Sequence, residues 1–274
     1  MTGARRDWFC LVVAVLVFAF LLGPIVAVAL ASFEGGQSYH FQFPPRQFSL
    51  TWYAHIPAKY LHALGVSLVV ATLTATAATL IGASAALGIL RGGRRAQEAL
   101  QAWFRLPLQL PLVVTGVAFL QFYNQMAGAT GVDLLGGGAG LVIAHVFVTI
   151  PYSVGSVGAV VGRTSPRLEE AARTLGAGEW SVFRRVLLPA IRPGLFAGFF
   201  YAFIVSFGDV PVSVFLASGG AVTLPVEIFQ TLQFDFDPAV LALSTLVVAL
   251  STLLIMAMQR LVGIDLVLPA ARRP

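Results

Sequence analysis

Residues 8–33 read WFCLVVAVLVFAFLLGPIVAVALASF, a run of 26 residues with no charge, bounded by Asp7 and Glu34. A helix needs about 20 apolar residues to cross a hydrocarbon core of ~30 Å, so this run is long enough to span a membrane. Working outward, the intervals between charges repeat the pattern at 60–90, 106–132, 134–162 and 238–259. A further stretch after Arg192 stays apolar to about Ala217 and is interrupted by Asp209. These runs predict an all-α chain with six transmembrane helices, about 9–31, 61–90, 107–126, 139–161, 193–217 and 239–262. Arg5, Arg6 and Ala29-Leu30-Ala31 imitate a cleaved signal peptide. The apolar region nevertheless exceeds the about 7–15 residues of a signal core, which favours a retained span.

Composition supports the same class. Of the 274 residues, 58% are hydrophobic and 11% charged, and the mean hydropathy is +0.86. An ordinary soluble domain carries roughly a quarter charged residues. A soluble enzyme, a disordered regulator and a disulfide scaffold are excluded, and the single Cys10 forms no intrachain bridge. Sixteen arginines and one lysine give a net charge of +5. A nucleic-acid partner is not the reading, because the basic residues sort between loops. With six spans, fifteen fall at the termini and in the second and fourth loops, and only Arg46 and Lys59 fall on the other side. The positive-inside rule then places both termini and those two loops in the cytoplasm, as for a multi-pass membrane protein. Lys59 sits in Pro57-Ala58-Lys59-Tyr60 with no glycine run before it, so no phosphate-binding P-loop is present. Small residues along the second span, Gly65, Ala71, Ala75, Ala78, Gly82 and Ala86, permit close helix approach. Pro107, Pro111 and Pro151 are expected to kink spans inside a bundle. No soluble domain is apparent, so residues 1–274 read as one transmembrane domain.

The fourth loop, 163–192, carries the most information. Ser165-Pro166 is a helix start, with Glu169 and Glu170 in the early turns where the dipole favours negative charge. Leu168, Ala171, Ala172 and Leu175 fall at i, i+3, i+4 and i+7, giving an apolar face, and Gly176 is placed to end the helix. A second short helix is expected from Glu179 to Leu187, with Trp180, Phe183 and Leu187 on one side and Pro189 as its stop. Such a pair is either two amphipathic pieces resting on the membrane surface or a docking element for a cytoplasmic partner.

Glu170-Ala171-Ala172-Arg173-Thr174-Leu175-Gly176, nine residues, then Val186-Leu187-Leu188-Pro189, resembles the EAA motif of ABC importer permeases. Val186 stands where that motif has isoleucine. Phe48–Tyr53, Leu106–Pro111, Ser206–Ser213 and Thr223–Phe229 resemble segments of the spermidine/putrescine branch of that family. Many members of the branch have two adjacent acids where this chain has Gly208-Asp209, which leaves the cargo open. The resemblance implies the type I importer permease (MetI-like) fold and a non-catalytic transport subunit. It implies a second, different permease as partner, two ATPase subunits that use ATP and magnesium, and an extracytoplasmic binding protein met by loops about 32–60 and 218–238. No cofactor is expected on this chain. Glu170, Ala171, Ala172, Gly176, Val186, Leu188 and Pro189 are then the ATPase-coupling residues. A polyamine is the leading cargo, with ferric iron, an aminoalkylphosphonate or another small solute as alternatives.

Asp209 is a carboxylate inside an expected span. It either contacts a cationic substrate or makes an interhelix hydrogen bond. His145, in the fourth span, reads as a packed, hydrogen-bonded histidine ahead of a proton relay. His40, His55 and His62 show no metal-ligand spacing, and no metal site is expected. Asp235 and Asp237 read as solvated loop acids. An ion-coupled secondary transporter is the rival of another class. It leaves the fourth loop unexplained and rests on Asp209 alone. An intramembrane enzyme requires a convergent set around His145 that the sequence does not display.

Overall fold

Hydrocarbon offers no hydrogen-bond partners, so a spanning backbone must satisfy its own N–H and C=O groups, and uninterrupted apolar runs therefore become helices. The computed structural model describes residues 2–35, 43–165, 167–217, 219–234 and 237–262. Its helices, in chain order, are α1 (Thr2–Ala31), α2 (Thr51–Ala54), α3 (Ala58–Arg91), α4 (Arg94–Arg105), α5 (Leu112–Thr130), α6 (Gly138–Val161), α7 (Arg167–Thr174), α8 (Glu179–Val182), α9 (Leu188–Phe207), α10 (Ser213–Leu216), α11 (Leu224–Phe234) and α12 (Ala239–Val262). Among the described residues the only extended pairing is an isolated bridge between Glu34 and Phe48. His40, Pro166, Asp235, Arg272 and Arg273, which the sequence analysis used, lie outside the described residues.

Five segments are long and apolar enough to cross a membrane: Trp8–Ala31, Ala58–Arg91, Gly138–Val161, Glu179–Phe207 and Ala239–Ala257. The sixth, Arg95–Gln109 with Leu112–Thr130, is bent by 93°. The expected third span, 107–126, is thereby corrected. Leu106–Gln109 is a 3-10 turn, Leu110 is extended (φ −86°, ψ 134°), and α5 starts only after Pro111. A residue before proline is pushed out of the helical region, which sets this boundary. The second loop is also more ordered than a loop. It forms α4, whose Gln97 side chain donates to the carbonyls of Leu90 (3.1 Å) and Gly92 (3.0 Å), groups that the end of α3 leaves without helical donors.

By contacts the chain divides into two compact units. The described residues of Met1–Leu61 and Ile228–Leu250 form one. In it, residues 8–26 of α1 are exposed, and Ala31 at its end is buried. The chain then turns back on itself through Gly35 N–H to Gln47 O (2.7 Å) and Ser49 N–H to Phe33 O (2.8 Å), and Trp52 Nε1 donates to Glu34 O (2.8 Å). The buried Tyr60 hydroxyl lies 3.3 Å from both Thr231 Oγ1 and Asp237 Oδ2. Asp237 Oδ1 in turn accepts the Ala239 N–H (2.9 Å) at the start of α12, so this acid is a helix cap as well as a loop residue.

His62–Glu227 with the described part of Ser251–Pro274 forms the other unit, built on the pairing of α6 with α9. Small residues bring backbones together here. A Cβ placed on Gly82 of α3 meets Ser153 Cβ of α6 at 2.6 Å, and Ser153 Oγ donates to Gly198 O of α9 (3.3 Å). Ala71, Ala75, Ala78 and Ala86 are buried as the sequence suggested, whereas Gly65 is exposed and a Cβ there would meet open space. A second cluster joins Tyr123, Leu141, Ala144, Val148, Val212 and Leu216. The expected fifth span, 193–217, is corrected at both ends. The helix runs without a break from Glu179 to Phe207, then turns at Gly208–Val212 before α10.

Candidate functional site

The 163–192 loop forms two elements, as its pattern predicts, with a different second one. α7 carries Glu169 and Glu170 in its first turn. Its end is a complete left-handed cap: Ala177 N–H bonds Ala172 O (3.0 Å), Gly176 N–H bonds Arg173 O (2.9 Å), and Gly176 has φ +85°. Leu168 and Leu175 are 55% and 88% exposed, Ala171 is exposed and Ala172 half-buried, so the apolar face of α7 points away from this chain.

Charges tie the opposite side of α7 down. Glu169 Oε2 receives Arg91 Nη2 from the end of α3 (3.2 Å) and Arg173 Nη2 (3.4 Å). Arg173 also grips Glu179 with Nε (2.7 Å) and Nη2 (3.0 Å), and the Glu179 carboxylate raises the guanidinium above its ordinary pKa. The two adjacent glutamates therefore divide. Glu169 turns to its own chain, and Glu170 is exposed at the edge of a cavity of about 590 Å³ shared with Arg91 and Leu187.

Pro189 does not stop the helix that begins at Glu179. Phe183–Leu187 widens into a π-turn in which the Leu188 N–H reaches Phe183 O. Proline lacks the N–H that would bond Arg185 O, and its ring would collide with that carbonyl. One wider turn before it relieves both problems. Val182 and Leu187 are buried and anchor this helix, Val186 and Leu188 are half-buried, and Pro189 is exposed. Trp180, expected beside Leu187, is 71% exposed and stacks on Phe183 with centroids 5.6 Å apart.

Asp209 sits in the turn after α9 and is 8% exposed. Its Oδ1 accepts the N–H groups of Val212 (3.1 Å) and Ser213 (2.8 Å) and the Ser213 hydroxyl (3.0 Å), which caps α10. His145 of α6, 2% exposed, places Nε2 3.0 Å from Ser213 Oγ and 3.5 Å from Asp209 Oδ1, and Nδ1 2.8 Å from Ser206 Oγ. Both ring nitrogens thus have hydroxyl partners, and the Ser213 hydroxyl links the ring to Asp209. Sequence reasoning weighed His145 and Asp209 separately. Their pairing joins α6 to the α9–α10 turn across 64 positions, which no local pattern signals.

Residues 78–264, well over half of the chain, match the family of binding-protein-dependent transport system inner membrane components. The chain belongs to that family. It is therefore an inner-membrane permease subunit of an ABC-type importer. The putrescine transport system permease protein PotI of Escherichia coli K12 is 30% identical over 246 residues, 89% of this chain and 86% of its own length. The spermidine/putrescine transport system permease protein PotC of Haemophilus influenzae is 28% identical over 245 residues, 89% and 92% of the two chains. The molybdenum transport system permease protein ModB of Mycobacterium bovis is 34% identical over 203 residues, 69% and 76%. Among solved structures, a bacterial ABC transporter involved in the import of the acidic polysaccharide alginate has TM-score 0.72 at 16% identity, over 95% of this chain and 98% of that one. The MetNI methionine ABC transporter has TM-score 0.59 at 20% identity, over 74% and 94%. At these identities the likeness to solved permeases is one of fold.

Proposed function

We propose that this permease subunit pairs with a second, different permease, that both engage cytoplasmic ATPase subunits, and that α7 is its coupling helix. The carrying observation is the division of α7. Leu168, Ala171, Leu175 and Glu170 face outward, while Glu169 and Arg173 hold the helix to Arg91 and Glu179. An apolar face with one exposed acid, tethered to two spans, can receive a push and pass it on. ATP and magnesium act in the ATPase subunits, and this chain supplies lever and path. Both termini and the 163–192 loop are cytoplasmic in this reading, by the arginine distribution. The test is Ala172→Trp, which places bulk on a half-buried docking position outside any span. Normal insertion with loss of ATPase co-purification and of substrate-stimulated hydrolysis is the expected result. Full retention of both overturns the coupling role.

A polyamine is the proposed cargo, supported by PotI and PotC, whose names carry putrescine and spermidine and which the chain covers almost end to end. ModB, whose name carries molybdenum, supports a second reading, a molybdenum species, at higher identity over a shorter length. Uptake of labelled putrescine against labelled molybdate in cells expressing the assembled transporter separates the two.

A further inference from the structure

α5 carries a polar patch on the second half of its outward side. The side of it that packs inside this chain carries Thr115, Gly116 and Tyr123, with Phe119 and Met126 partly buried. The side turned outward is apolar in its first half, where Val113, Val114 and Val117 are exposed, and polar in its second, where Gln121, Asn124 and Gln125 are all exposed at i, i+3 and i+4 and so on one face. Ala118 and Gly128, also exposed, flank the amides without bulk. The Asn124 amide nitrogen returns to Leu120 O (3.0 Å), and among the described residues no side-chain partner is found for Gln121 or Gln125. Neighbouring exposed faces are of the opposite character: Phe122 on α5, and Leu73 and Leu80 on α3, are more than half exposed and purely apolar. Hydrocarbon suits these and not three amides, whose desolvation without a partner is costly. Polar side chains in a span turn to a bundle interior or to a water-filled cavity. Here the interior of this chain is not where they turn.

We infer that the Gln121–Asn124–Gln125 face lines the water-filled substrate path of the assembled transporter and that its amide oxygens accept hydrogen bonds from the ammonium groups of the cargo. The amine chemistry rests on the polyamine reading; the path assignment does not. Neutral carbonyl dipoles suit a translocating cation, since they replace its water without holding it as a carboxylate would. Asp209 Oδ1, by contrast, is already engaged in capping α10.

The experiment is thiol labelling of the full transporter in membrane vesicles, on a Cys10→Ser background because Cys10 is the native cysteine. Gln121→Cys, Asn124→Cys and Gln125→Cys are compared with Phe122→Cys and Leu80→Cys, using a membrane-impermeant, water-soluble maleimide. The expected result is at least tenfold faster labelling of the three amide positions than of the two apolar ones, slowed by putrescine. Fast labelling slowed by molybdate and not by putrescine keeps the path and overturns the amine cargo. Equal, slow labelling at all five positions overturns the path. Slow labelling together with oxidative cross-linking of Gln121→Cys to the second permease also overturns it and makes the face a subunit interface.

Discussion

At the residue scale Asp209 and Gly176 show how one side chain decides a turn. The Asp209 carboxylate holds two buried backbone N–H groups and a buried hydroxyl. Asp209→Ala orphans these donors, and a buried orphan costs about 1–3 kcal/mol. Thermal unfolding in detergent is expected to fall by several degrees. Asp209→Asn keeps an accepting oxygen and the cap, so it is expected to stay close to the parent protein. Lost uptake at limiting putrescine in both variants, with unfolding temperature unchanged in both, would show the acid acting on substrate and not on the turn. Gly176 presents the complementary case. A Cβ there has open space, but φ +85° penalises any L side chain by about 1 kcal/mol. Gly176→Ala is expected to fray the end of α7, with faster amide exchange at Gly176 and Ala177. Gly176→Asp is expected to abolish transport while the protein still inserts. Unchanged exchange in the alanine variant would mean that the cap is not what fixes α7.

At the element scale, α7 was legible because it follows local rules: acids in the first turn, apolar spacing of 3 and 4, glycine at the end. The helix after it was misjudged at Pro189, because a proline reads as a stop unless a π-turn precedes it. Nothing in Phe183–Leu187 announces that widening; the burial of Val182, Leu187 and Ile191 holds the helix through it. Likewise, the link from Arg91 to Glu169 spans 78 positions and has no sequence signal. It yields a prediction that separates two adjacent acids. Glu169→Gln removes the partner of Arg91 and Arg173 and is expected to loosen α7, seen as faster proteolysis within 163–178. Glu170→Gln leaves those ties intact and is expected to weaken ATPase retention with proteolysis unchanged. Interchanged outcomes would reverse the roles assigned to the two glutamates.

At the scale of the whole molecule the open quantity is whether the chain crosses the membrane five times or six, and it depends on α5. Its run, 106–132, is uncharged like most of the others. It is diluted by Gln121, Asn124 and Gln125 and enters through a 93° bend, so length and apolarity alone do not decide it. The arginines do. Arg91, Arg94, Arg95 and Arg105 precede α5, and Arg163, Arg167, Arg173, Arg184, Arg185 and Arg192 follow α6. If α5 and α6 both cross, these two clusters share one side, as the positive-inside rule requires. If α5 turned back within the bilayer, α6 alone would separate them and carry six arginines outside. The ion pair between Arg91 and Glu169 speaks for a shared side as well, since its partners lie 3.2 Å apart. Reporter fusions at Gly93 and Gly178 are therefore expected to be cytoplasmic together, with fusions at Gly36 and Gly220 extracytoplasmic. Gly93 and Gly178 reporting from opposite sides would remove the sixth span, and with it the membrane setting in which the amides of α5 need water.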